Sequence, residues 1–125
     1  EQKEQLSGTG NKEKNPHVRR CKDYIFSHLH DRITIQEIAD FLGMNPGYLS
    51  ELFHKCEGMS IKNFILREKI GLAKNMLTYS GYSYIEIAAY LGFSSQSHLG
   101  KQFKKLTGFT LSEYRNTYGV RQFTS

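Results

Sequence analysis

Residues 86–92 read Glu86-Ile87-Ala88-Ala89-Tyr90-Leu91-Gly92, and residues 37–43 read Glu37-Ile38-Ala39-Asp40-Phe41-Leu42-Gly43. The two stretches lie 49 positions apart. Past each glycine, Leu49, Phe53, Lys55 and Gly58 fall under Leu99, Phe103, Lys105 and Gly108 at an offset of 50. The second copy therefore has one extra residue in its turn. A weaker match continues as Ser60 and Phe64 over Thr110 and Tyr114. An internal repeat of this kind signals one supersecondary unit used twice.

Local signals show what the unit is. Thr34 with Glu37, and Ser83 with Glu86, have the Ser/Thr-x-x-Glu spacing of a capping box, which opens a helix. Gly43 and Gly92 stop those helices, because glycine accepts the left-handed conformation at a helix end. Asn45-Pro46 starts the next helix in copy one, since Asn caps well and Pro suits the first helical position. Ser94 or Ser95 starts it in copy two. Gly58 and Gly108 end these second helices. Ile38, Ala39 and Leu42 recur at helical spacing, followed by Leu49, Leu52, Phe53 and Cys56. Copy two repeats the stripe with Ile87, Ala88, Leu91, Leu99, Phe103 and Leu106. A capped helix, a glycine turn and a second helix form a helix-turn-helix.

Working outward, Asn15-Pro16 opens a first helix running to about Leu29, with Val18, Cys21, Ile25 and Leu29 on one face. Ser60 caps a longer helix over about Ile61 to Thr78, and Thr110 opens a last short one that ends near Tyr118. The expected class is all-α, with about seven helices and no strand: two helix-turn-helix subdomains joined by a long bridging helix. The expected segments are a polar tail at 1–15, a first subdomain at 16–62, the bridging helix at 63–79, a second subdomain at 80–118 and a tail at 119–125.

Composition agrees. The 125 residues are 38% hydrophobic and 23% charged, enough apolar content for a core. No apolar run is long enough to span a membrane. With 17 basic and 12 acidic residues the formal net charge is +5. Residues 1–15 carry three of each sign and residues 16–64 carry six of each. Residues 65–125 carry eight basic and three acidic residues, so the whole surplus sits there. Cys21 and Cys56 have no metal-ligand spacing and read as packed thiols in a reducing cytoplasm. No cofactor or metal site is expected. The chain does not open with methionine and is read as a fragment of a longer protein without a signal peptide.

The chain resembles the AraC/XylS family of bacterial transcription regulators over about residues 16–118. The carriers are Ile87-Ala88 through Gly92-Phe93, Ser97, Phe103-Lys104-Lys105, Gly108 and Tyr114-Arg115. The bridging segment Lys69-Ile70-Gly71-Leu72-Ala73-Lys74-Asn75-Met76-Leu77 matches that family's basic-(Ile/Leu)-x-x-Ala-x-x-Leu-Leu pattern. The sequence departs from the family at Leu99, where an aromatic is common, at Leu111, where proline is common, and at Lys69, where arginine is usual. Glu51 lies where many members carry a basic residue. The resemblance implies a monomeric DNA-binding module with double-stranded promoter DNA as partner, in the bacterial cytoplasm at the nucleoid. It further implies activation through RNA polymerase, and a preceding sensor or dimerisation domain in the intact protein.

A recognition helix buries one stripe and presents the other to the major groove. The outward residues of copy one are Pro46, Gly47, Ser50, Glu51 and His54, with Lys55 at the rim. Those of copy two are Ser95, Gln96, Ser97, Gly100, Lys101, Lys104 and Lys105. Gln96 suits adenine and Lys101 suits guanine. Lys104 and Lys105 suit phosphates. Glu51 can accept from cytosine N4 or pair with a neighbouring lysine. The second is favoured, because phosphates repel a carboxylate.

A bridging helix of about 18 residues is roughly 27 Å long. Successive major grooves on one DNA face are about 34 Å apart. The unequal copies predict an asymmetric site. The competing readings are a protein-interaction module that contacts RNA polymerase with weak or lost DNA binding, and a DNA alkyl-repair enzyme. The enzyme would need a cluster of cysteines that the sequence lacks.

Overall fold

The computed structural model describes residues 15–120; of the expected tails at 1–15 and 119–125, residues 1–14 and 121–125 lie outside the described residues. Seven helices and no strand occur among the described residues. They are α1 (Pro16–Ser27), α2 (Ile35–Leu42), α3 (Pro46–Glu57), α4 (Ile61–Tyr79), α5 (Tyr84–Tyr90), α6 (Gln96–Thr107) and α7 (Leu111–Tyr118). The chain forms two compact units. One takes in Ile33–Ile65 and the chain up to His28, the other Leu29–Arg32 and the chain from Leu66 onward. The first turn of α4 thus belongs to one unit and its remainder to the other.

In the first unit, Asn15 caps α1 by accepting from the backbone N–H groups of His17 and Val18. The helix ends at Ser27, two residues short of Leu29. Thr34 and Glu37 close both halves of the capping box on α2, and Gly43 ends it at φ +69°. Asn45 caps α3 and Gly58 closes it at φ +77°. The three helices pack on one another, with Cys21, Ile25, Ile38, Ala39, Leu49 and Phe53 fully buried. Ala39 is small where α2 crosses its neighbours, which lets the helices approach. Phe64 meets Phe53 edge-on at 5.4 Å between centroids, so the start of α4 closes this core. Burial pushes the Cys21 thiol up to about 12, so it stays protonated as a small apolar filler.

The second unit repeats the plan. Ile70, Ala73 and Leu77 of α4 pack with Ile87, Ala88, Leu91, Leu99, Phe103 and Leu111. Leu106 does not join the inner stripe as its spacing suggested: it is 44% exposed. Leu111 and the rings of Phe109 and Tyr114 fill that side of the core instead. Arg115 closes the end of α4. Its Nε donates to the Leu77 carbonyl at 3.1 Å, and its Nη2 donates to Met76 at 3.3 Å and Ser80 at 3.1 Å. The Met76 carbonyl also accepts from the Ser80 N–H at 3.0 Å and the Ser80 hydroxyl at 2.6 Å, and the guanidinium fork adds donors for the carbonyls at this helix end.

Lys69 is the one buried charged residue among the described residues, at 6% exposure. Its Nζ donates to the Asp31 carbonyl at 2.6 Å and to the Leu91 carbonyl at 2.5 Å. The Phe93 ring lies 5.8 Å from the cation. Burial lowers the Lys69 pKa, and the Asp31 charge partly opposes that shift. The ammonium thereby ties the turn that follows α5 to the 29–32 segment. Gly92 lies in that turn at φ +76°.

Candidate nucleic-acid interface

Each copy's second helix has a buried stripe that sets which residues face out. In α3, Leu49 and Phe53 are buried while Gly47, Glu51, His54 and Lys55 are exposed. Pro46 and Ser50 are half-buried. In α6, Leu99 and Phe103 are buried while Gln96, Ser97, Lys101, Lys104 and Lys105 are exposed. Gly100 is half-buried on the side of Leu111, whose Cδ1 would lie 3.8 Å from an added Cβ.

Helix starts differ in charge: α1, α3, α4 and α6 have no acid in the first turn, while the other three helices have one. The first turns of α2, α5 and α7 each hold a capping-box glutamate: Glu37, Glu86 and Glu113. A carboxylate there neutralises the positive end of the helix dipole. The Glu113 carboxyl is held below its usual range, first by the Thr110 backbone N–H and then by the Lys104 charge. Neither α3 nor α6 has an acid in its first turn. Their positive ends are left uncompensated, which suits an approaching phosphate.

Several expected contact residues have work within the fold. Ser95 is the N-cap of α6, accepting from His98 N–H at 3.0 Å. Lys104 Nζ donates to the Gly108 carbonyl at 3.2 Å and lies 3.9 Å from Glu113. Lys101 and Lys105 have no ion-pair partner among the described residues. His98 lies in reach of Ser94 Oγ at 3.3 Å and edge-on to Phe93 at 5.3 Å between centroids. In α3, Ser50, Glu51, His54 and Lys55 are brought together along a groove of about 400 Å³ that Ile35, Ser60 and Ile61 complete.

One exposed residue escaped the sequence reading. Tyr48 is 57% exposed in the first turn of α3. Its signal was present in the repeat, which pairs it with His98. No set of His, Cys, Asp or Glu side chains among the described residues can hold a metal ion. No described helix is long and apolar enough to cross a membrane.

Known proteins share this sequence pattern and fold. A family model described as "Helix-turn-helix domain" matches residues 38–117. The regulatory protein PocR of Salmonella typhimurium is 32% identical over 103 residues, covering 80% of this chain and 34% of that protein. The chain thus spans about a third of that relative. The C-terminal domain of AraT, a response regulator from Geobacillus stearothermophilus, superposes with a TM-score of 0.85 at 28% identity, covering 89% of this chain and 93% of that one. The DNA-binding domain of AdpA, a global transcriptional factor solved with a target DNA, shares the fold. Its TM-score is 0.78 at 22% identity, covering 86% of this chain and 97% of that one.

Proposed function

The chain belongs to the AraC-type helix-turn-helix family and is a DNA-binding domain of a transcription regulator, and from that premise we propose how it reads DNA. It seats α3 and α6 in successive major-groove segments of an asymmetric promoter site. The second motif carries most of the base reading and most of the phosphate attraction. One observation carries this reading: α6 exposes Gln96, Ser97, Lys101 and Lys105 opposite its buried Leu99 and Phe103. The matching face of α3 offers Glu51 and His54 where α6 offers Lys101 and Lys104.

Gln96 pairs with an adenine edge and Lys101 with guanine O6 or N7. Lys105 and the free amides opening α6 hold phosphates, while Lys104 divides its charge between DNA, the Gly108 carbonyl and Glu113. Glu51 contributes little base readout. The site is asymmetric because the two copies present different side chains in one order along one chain. Activation proceeds by contact between the DNA-bound domain and RNA polymerase, and the intact regulator carries a sensor or dimerisation domain before this one.

Selection of bound sequences from a random duplex pool, followed by gel shifts on the selected site, tests the reading. Lys101→Ala and Gln96→Ala are expected to weaken specific binding more than Ser50→Ala or Glu51→Ala. Affinity is expected to fall steeply with salt, with a slope corresponding to on the order of six to eight phosphate contacts. Equal losses across the four variants, a palindromic consensus or a flat salt dependence would overturn it. The polymerase step fails if promoter-bound protein does not retain polymerase in a supershift.

A further inference from the structure

The opening half of the outward face of α3 is poor in groups that can hold DNA, since its basic residues His54 and Lys55 lie in the last turn. Gly47 has no side chain, Ser50 is short and half-buried, and Glu51 is repelled by phosphate. Tyr48 stands among them, 57% exposed. Its backbone N–H is taken by the Asn45 side chain at 3.0 Å, which fixes its place in the first turn. Its hydroxyl has no hydrogen-bond partner among the described residues.

The second motif shows that this is a choice of residue. His98 occupies the matching position in α6, within reach of Ser94 Oγ at 3.3 Å and edge-on to Phe93. Copy one has Met44 where copy two has Phe93 and offers no such partner to Tyr48. Both side chains are exposed, but the His98 ring has neighbours within its own motif, while the Tyr48 hydroxyl has no partner among the described residues.

We infer that Tyr48 is the principal DNA contact of the opening turn of α3, donating its hydroxyl proton to a backbone phosphate oxygen and holding the helix in register without reading sequence. Tyrosine suits this role because its rigid ring reaches past the short residues around it and adds no charge beside Glu51. The inference rests on the proposed seating of α3 in the groove. It explains how a motif with no net charge on its outward face can still be held on DNA.

The test is Tyr48→Phe, which keeps the ring and removes only the hydroxyl. Affinity is measured by fluorescence anisotropy on the selected site and on a scrambled duplex, at several salt concentrations, beside Lys101→Ala. Tyr48→Phe is expected to weaken binding about three- to tenfold on both duplexes alike, as for the loss of one hydrogen bond. The slope of log affinity against log salt should not change, because a neutral donor displaces no counterion. Lys101→Ala should weaken binding to the selected site more than to the scrambled duplex, as for a base contact.

Unchanged affinity on both duplexes overturns the inference. So does a loss confined to the selected site, which marks base reading, and so does a lowered salt slope. If Lys101→Ala also leaves binding unchanged, the proposed reading of DNA by the second motif has failed as well. Its normal effect beside an inert Tyr48→Phe removes the Tyr48 contact alone.

Discussion

Gly43 and Gly92 occupy the same place in the two repeats and share one backbone conformation, at φ +69° and +76°. Replacing each with alanine therefore imposes the same intrinsic cost. A non-glycine residue in the left-handed region loses about 1–2 kcal/mol. Part of this is offset by the entropy that alanine removes from the unfolded chain, about 0.4–1 kcal/mol. Gly43→Ala should cost only that difference, on the order of 1 kcal/mol, because nothing lies within 4 Å of its added Cβ.

At Gly92 the added Cβ would stand 2.8 Å from both the carbon and the oxygen of the Asp31 carbonyl and 3.0 Å from Lys69 Nζ. The obstacle is backbone, so a rotamer change cannot relieve it. The turn must retreat, and the Lys69 bonds to Asp31 and Leu91 lengthen with it. Overpacking costs about 1–3 kcal/mol, and a weakened hydrogen bond to a charged group adds about 1.5–3 kcal/mol. With the intrinsic cost of about 1 kcal/mol, Gly92→Ala should thus cost about 3.5–7 kcal/mol, a large share of the stability of an ordinary domain.

Urea denaturation followed by far-ultraviolet circular dichroism measures both losses. A double-mutant cycle of Gly92→Ala with Lys69→Met should be strongly non-additive, because both act on the same bonds. Losses at Gly43 and Gly92 that agree within about 0.5 kcal/mol, the additivity error of such measurements, would refute the reasoning.

Other expectations follow from single contacts. Lys69→Met alone should cost about 2–4 kcal/mol, because two carbonyls lose their donor; a stabilised variant would show that relief of the buried charge outweighs those bonds. The Cys21 thiol has a folded pKa of about 12 against an ordinary 9.0. Its stabilisation is complete below pH 9 and is lost as pH rises towards 12, by about 1.4 kcal/mol at pH 10. Cys21→Ala should lower stability overall and flatten this slope between pH 8 and 10, so parallel stability curves would refute the assignment. Thr110→Ala should cost about 1 kcal/mol by uncapping α7, read as a drop in urea midpoint. In an NMR titration the Glu113 carboxyl should have its midpoint below 4.5. It should move back towards that value in Lys104→Ala, and a midpoint that stays put would remove the lysine from its causes.

Much of the fold was legible because its signals are local. A capping box joins residues three apart, and Thr34–Glu37, Ser83–Glu86 and Thr110–Glu113 all form one. The repeat turned those local signals into an architecture. The outward face of α6 followed from the burial of Leu99 and Phe103. Leu106 was misplaced because periodicity assigns a stripe without knowing how wide the facing surface is. Tyr48 was missed because it borders the inner stripe, and the pattern of apolar spacing does not record how exposed a bordering residue is.

By itself the sequence determined the all-α class, the two tandem helix-turn-helix units, and the concentration of positive charge in the later half. These depend on contacts within a helical turn and on counts that need no coordinates. Only the tertiary structure decided that Lys69 is a buried clamp and that Gly92 is crowded while Gly43 is open. Asp31 is 38 residues from Lys69, and Leu91 is 22. Pairings at such separations are set by how helices pack, and no local pattern records them.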